Sequence, residues 1–524
     1  MLTPLSLLLL LGVSVAKDPI GQNVIVLLID GYGASLLNES KPESKFGMEH
    51  LITHGVQAEY LKSAFPTQSW PNWLNLATGL YTENHGLTAD YMWDKESKLS
   101  FERGKGANDT EDIWWEKVPA PLWYTAGKSG VDVHCYWFAH CHRAHGDMVV
   151  KVPPKRWTDL SIPDQTDRLA EVFPEIVNRI LKYQAYKQQM FLLRYAGVDN
   201  ALRQFGAGSD EADQAIARID MYILELQQKL AEHDLFTSTN LVVLSDHGLA
   251  QIEEEEQFYL EECLSDYSKV VKVVNLHSML MVFTEPEDEG HVHFELRVCD
   301  QWAPMGDYED TDTLLVKAYK LSDNNEKLQK LHWTGSRFMS GVVLLTKPGT
   351  SIITRELPSI PAASDPLREA KQTSGWDPEA AQMRGVFMAR GPAFKVGEKV
   401  GPIEIVDVYQ IILNILGVEP AHSHNGTWSN VEGMLASGWE ERPNSDKFNE
   451  ATRLCAAIFP MILLVFSISS NYPVTPGNIL LCPGSMANEK ALRVSLFLTV
   501  MMFLRDVPGA QSEGRYFLCA AHKF

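Results

Sequence analysis

The chain has 524 residues, 45% of them apolar and 22% charged, an ordinary globular balance over a length that suits one large domain or two smaller ones. Its formal net charge of −21 argues against a nucleic-acid partner, because a phosphate backbone is held by an excess of Lys and Arg. Seven cysteines, Cys135, Cys141, Cys263, Cys299, Cys455, Cys482 and Cys519, are an odd number and too few for a disulfide scaffold, so one or two bridges are expected.

Residues Met1–Ala16 read as a secretory signal: the apolar run Leu7–Leu11 is too short to span a bilayer, and Ser14-Val15-Ala16 is a small-residue cleavage site. This predicts a secreted protein, or one on the outer face of the plasma membrane. The triplets beginning at Asn38, Asn108 and Asn425 then become glycosylation acceptors.

From Lys17 to Gly438 apolar strands alternate with helical stretches. Val24–Ile29, Met190–Leu193, Leu241–Leu244 and Val386–Met388 are short continuous apolar runs, as strands buried on both faces require. Asp210–His233 carries apolar residues at Ala215, Ile219, Ile223 and Leu226, which predicts an amphipathic helix. The pattern predicts an α/β domain with a largely parallel sheet and helices on both faces. Ligands bind such sheets beyond the carboxyl ends of the strands. Asp30, Asp199 and the pair Asp246-His247 follow three of the runs, so they are expected to share one crevice. The acidic run Glu253–Glu256 reads as a solvated face, and Glu287–Gly290 and Asp300–Thr313 read as loops.

The end of the chain is unusual. A polar linker, 439–454, precedes an apolar tail, 455–524. Within it Cys455–Ser470 is shorter than the roughly 18 residues of a membrane span. Small residues at Ser445 and Ala451 ahead of it resemble a lipid-anchor signal, yet the chain continues past it with a second apolar run, Val494–Leu504. The tail is either a variant end that spoils such a signal or contains a buried helix.

The chemistry sits in five segments. VIVLLIDGYG carries Asp30-Gly31, FPTQSWPN carries Ser69, and VVLSDHG carries Asp246-His247. RYAGVDNALRQFG and SGWDPEAAQMRG carry Asp199, Arg203 and Ser374. An Asp-His pair at a strand end offers zinc an oxygen and a nitrogen. Ser69 stands before an expected helix, whose N-terminal dipole favours an alkoxide and a bound phosphate. On its own, Ser69 would read as a plain helix cap. His134, Cys135, His140, Cys141, His142 and His145 cluster without matching a zinc module; loop residues and one disulfide are the simpler account.

Together the segments resemble the ectonucleotide pyrophosphatase/phosphodiesterase family of the alkaline-phosphatase superfamily, over roughly Asn23–Leu435. The choline-specific glycerophosphodiesterase branch looks closest, on Asp90–Asp94, Pro121–Trp123, Met383–Gly385, Asp407–Tyr409 and Asn425–Ser429. The resemblance implies an alkaline-phosphatase-like core and two zinc ions that activate a nucleophile and clamp the phosphate. Ser69 would be that nucleophile. Asp30, Ser69, Asp246 and His247 would hold one zinc, and Asp199 with two imidazoles would hold the other. Arg203 and Ser374 stand where those imidazoles belong, and Asp90 stands where the family has an Asn that donates to phosphate. A family disulfide cysteine corresponds to Cys141.

An Arg cannot ligate a cation, and an ionised Asp cannot donate to a phosphate. The implied reaction, hydrolysis of choline glycerophosphodiesters or lysophospholipids, is therefore expected to be weakened or lost, with one zinc retained. The alternatives are a one-metal enzyme with Arg203 as phosphate clamp and a non-catalytic ectodomain that keeps the pocket for a small phosphodiester or choline phospholipid. Arg203 is expected to point into the crevice near Asp199, with Asp90 as the alternative or additional carboxylate partner. Trp70, Trp73, Trp93 and Tyr195 could cage a quaternary ammonium, or be core aromatics. Arg194, where the choline branch has a Tyr, puts a cation beside that cage.

Overall fold

The computed structural model describes residues 23–39, 45–102, 111–138, 141, 163–183, 187–299, 314–361, 369–437, 439 and 441. The expected signal segment, the acceptor Asn108, the histidines 140, 142 and 145, residues 300–313 and the apolar tail lie outside the described residues.

Seven strands form the central sheet: β1 (Asn23–Ile29), β2 (Val56–Ala58), β3 (Asp132–Tyr136), β4 (Gln189–Tyr195), β5 (Thr239–Ser245), β6 (Phe387–Arg390) and β7 (Glu398–Val400). Their spatial order is β7-β2-β6-β5-β1-β4-β3. β1 is central and pairs in parallel with both β4 and β5, while β3 runs parallel to β4. β6 is antiparallel to β5 and to β2, a direction that its apolar run could not reveal.

Side chains alternate across a strand, so β1 feeds two cores. Val24, Val26 and Leu28 pack with the helices α2 (Ser69–Thr78) and α6 (Asp407–Leu416). Ile25, Leu27 and Ile29 pack on the other face with α1 (Phe46–Thr53), α3 (Phe173–Tyr183) and α5 (Asp210–Glu232). The fold is thus the expected α/β layering, with helices on both faces. In α5 the predicted residues Ala215, Ile219, Ile223 and Leu226 are buried, and the Ser209 side chain caps its start by accepting the Ala212 N–H. The short helix α4 (Gly197–Phe205) follows β4 directly.

A second sheet of five strands, including Val270–Asn275, Met279–Thr284 and Val342–Thr346, has its own core of Leu260, Val282 and Leu344. Glu289 and Gly290, read as loop, instead open a helix, Glu289–Arg297, that buries Val292 and Leu296. Glu253, Glu254 and Glu255 are exposed, as a solvated face requires. Disulfides join Cys135 to Cys141 and Cys263 to Cys299. Among the described residues no helix is long and apolar enough to cross a membrane.

Candidate active site

The crevice lies beyond the carboxyl ends of β1, β4 and β5. Strand register sets it: Ile29 pairs with Tyr195 on one side and Ser245 on the other, so Asp30 emerges beside Asp246. The chain turns at once. Gly31 has φ +70°, and a Cβ there would lie 2.7 Å from Leu249 and 2.9 Å from the Asp199 carboxylate. Only glycine allows this turn against Asp199. The Gly31 and His247 amides then donate to Asp246 Oδ1 at 3.0 and 2.9 Å.

Ser69 is the first residue of α2 and does not cap it; Gln68 holds the cap position. The Ser69 hydroxyl lies 3.2 Å from Asp30 Oδ1 and 3.0 Å from His247 Nε2. His247 Nδ1 is 2.9 Å from the Gly248 carbonyl, which can only accept, so Nδ1 carries the proton. In the neutral ring Nε2 therefore presents its lone pair to Ser69. His247 Nε2 is also 3.7 Å from Asp30 and 3.6 Å from Asp246. The four residues expected around one metal thus converge, all fully buried. Burial, reinforced by the neighbouring Asp30 charge, pushes the Asp246 carboxyl above the usual range. Asp30, Asp199 and His247 also each offer a ligand atom within 4.8 Å of the others.

Two guanidinium groups occupy this acidic centre. Arg203 lies one helical turn after Asp199, so both project from one side of α4. Its Nε sits 2.9 Å from each Asp199 oxygen, Nη2 donates to Ser374 Oγ at 2.9 Å, and Nη1 to Thr373 at 3.3 Å. The expected pairing with Asp199 is present, but the guanidinium turns to Ser374 and Thr373 rather than to Asp90. Arg194 is the second. Its Nε and Nη2 donate to Asp30 Oδ2 at 3.0 and 2.6 Å, and its charge lies 4.5 Å from the Trp73 ring centroid. The Trp73 indole N–H in turn donates to Asp246 Oδ2 at 2.7 Å.

Sequence reasoning took Arg194 only as a neighbour of the aromatic cage and missed its bond to Asp30. A signal existed: an Arg directly after the apolar run Met190–Leu193, on a strand buried on both faces, needs a buried carboxylate. Its register position opposite Leu28, two residues before Asp30, selects which one.

The aromatics do not form one cage. Trp70 and Trp73 pack together at 5.9 Å, and Trp93 packs edge-on against Phe283. Tyr195 lies on the opposite face of the sheet, where its hydroxyl donates to the Ala215 carbonyl. Strand alternation is the reason: Arg194 and Tyr195 are adjacent in β4 and must point opposite ways. Asp90 accepts the Trp70 backbone N–H at 2.9 Å, placing a carboxylate at the N-terminus of α2, where a helix dipole favours an anion. His134 is buried and stacked on Phe191 in β4, beside the Cys135–Cys141 bridge.

Residues 24–377 match the family model of type I phosphodiesterase/nucleotide pyrophosphatase. The chain belongs to this family. Relatives of the type I phosphodiesterase family include the bis(5'-adenosyl)-triphosphatase ENPP4 of Pongo abelii, 24% identical over 431 residues, covering 81% of this chain and 84% of the relative. The Xenopus laevis counterpart is 26% identical over 443 residues, with the same coverage. Murine ectonucleotide pyrophosphatase/phosphodiesterase 5, solved as an inactive form in complex with AMP, shares the fold, with a TM-score of 0.65, 21% identity and coverage of 79% of this chain and all of that one. The human form of that protein has a TM-score of 0.64, 22% identity and the same coverage.

Type I phosphodiesterases are metal-dependent, so the donor set can be tested against a metal. Asp30, Ser69, Asp246 and His247 keep the donor types of a first position. The second position does not fit: Asp199 is bonded on both oxygens by Arg203, and Ser374 serves as acceptor to the same guanidinium.

Proposed function

We propose that this type I phosphodiesterase homologue acts outside the cell, and that its hydrolytic activity is weakened or lost while its phosphodiester-binding architecture persists. The observation that carries the reading is Arg203 bridging Asp199 and Ser374 at 2.9 Å to each. A permanent cation held by four hydrogen bonds leaves no room, charge or ligands for a second divalent ion. A zinc ion in the remaining position would be held by Asp30, Ser69, Asp246 and His247, and would supply Lewis acidity toward the Ser69 hydroxyl. The chain's own residues then do little of the remaining chemistry. The His247 Nε2 lone pair that would hold the zinc is then not free to take the Ser69 proton, and Arg203 is turned to Asp199, Thr373 and Ser374 rather than held out as a phosphate clamp. Asp90 places a carboxylate where α2 would receive the phosphate, and like charges repel there.

The choline-branch segments carry the substrate class, a choline glycerophosphodiester or lysophospholipid. Arg194 lies against Trp73 and takes the face a quaternary ammonium would use. Hydrolysis of choline glycerophosphodiesters or lysophospholipids is therefore the ancestral rather than the present activity. The test is a hydrolysis panel with added zinc: glycerophosphocholine, lysophosphatidylcholine, a dinucleoside polyphosphate and a p-nitrophenyl phosphodiester. Turnover on every substrate should be slow, or indistinguishable between the parent and Ser69→Ala. A substrate turned over rapidly and in a Ser69-dependent way would overturn the reading and identify the activity.

A further inference from the structure

We propose that Arg194 is a built-in cation at the first metal position and that, together with the Trp73 indole, it lets this centre fold without any divalent ion. The proposal rests on the reading above, in which Arg203 already closes the second position.

Three buried carboxylates, Asp30, Asp199 and Asp246, meet beyond the strand ends. Two guanidinium groups answer two of them directly: Arg203 on Asp199 and Arg194 on Asp30. The third, Asp246, has Oδ1 on two backbone amides and Oδ2 on the Trp73 indole N–H. Every carboxylate in the centre is therefore satisfied by the protein itself. A divalent ion would have to compete with these donors for Asp30 and Asp246.

Arg194 cannot easily yield. It cannot be deprotonated at working pH. It is 2% exposed, with its guanidinium between Asp30 Oδ2 and the Trp73 ring. The ladder holds its backbone opposite Leu28, with apolar core residues on either side. Zinc at Asp30 Oδ1, the oxygen facing Ser69 and His247, would set a divalent cation against a buried guanidinium on Oδ2 of the same carboxylate, and the two cations would repel. Trp73 couples the two locks, because one face of its ring meets the Arg194 charge while its N–H holds Asp246.

The experiment uses the full chain purified from zinc-supplemented medium. Zinc per chain is read by elemental analysis, and the thermal midpoint is read with added zinc and with chelator. The parent should carry well under one zinc, and neither addition should move its midpoint. Arg194→Met keeps the side-chain volume and frees Asp30. It should bind about one zinc per chain with an affinity about 10–100-fold tighter than the parent's. Its midpoint should rise with zinc and fall with chelator. Trp73→Phe keeps an aromatic face and removes the N–H, so it should gain zinc to a smaller extent; it serves if Arg194→Met does not fold. One tightly held zinc in the parent, or no gain in either variant, overturns this proposal and leaves the proposed function standing. Two zinc ions in the parent overturn both.

Discussion

Arg203 and Asp199 form a pair in which the carboxylate is fully buried. Removing one member strands the other, so Arg203→Ala should cost about 3 kcal/mol or more. Replacing both, as Arg203→Leu with Asp199→Leu, should recover most of that loss. Denaturant titration of the two single variants and the double variant measures this, and additive losses would contradict a coupled pair. A different residue gives stability a dependence on pH. His85 is fully buried, with Nδ1 accepting the Leu87 N–H and Nε2 at the Asn75 side chain of α2. Burial pushes its pKa down to about 3. The folded chain then refuses a proton that the unfolded chain takes up below about 6.5. Stability should fall as pH drops from 6.5 towards 3, by about 1.4 kcal/mol per pH unit from this group. Urea midpoints against pH, compared with His85→Gln, should show a shallower acid slope in the variant.

At the scale of elements, the N-terminus of α2 and the end of β1 decide what the crevice can accept. Asp90 binds the Trp70 amide at the first turn of α2. Asp90→Ala should cost about 0.5–1 kcal/mol through the lost helix-end charge, measurable in urea. A stability gain would show that the carboxylate is strained there rather than stabilising. Gly31→Ala should cost about 1–3 kcal/mol, because it adds a Cβ at φ +70° against Asp199. The four apolar runs were legible as strands because each is buried on both faces, and Asp30, Asp199 and Asp246 were legible as neighbours because parallel strands end on one side. The antiparallel course of β6 was not, since direction leaves no mark in the three-residue apolar run Val386–Met388. The separation of Tyr195 from Trp73 could have been read from strand alternation. The Arg194 bond to Asp30 needed the register of β4 against β1, which no single segment contains.

For the whole molecule, the acidic centre is balanced by arginines from two different elements, β4 and α4, where relatives of this family depend on metal. Restoring the second position alone should therefore achieve little. Replacing Arg203 and Ser374 by His and Asp90 by Asn rebuilds one set of ligands but leaves Arg194 on Asp30. Only the further change Arg194→Tyr frees the first position as well, and groups that act as a unit give no return until all are present. The most direct measurement is p-nitrophenolate release from a p-nitrophenyl phosphodiester under saturating zinc, for the parent, the triple variant and the quadruple variant. The parent and the triple variant should stay near the rate of the zinc buffer. The quadruple variant should exceed them by about 10²–10³-fold and lose that gain with Ser69→Ala. A parent that already matches the quadruple variant, with Ser69-dependent turnover, would contradict the account.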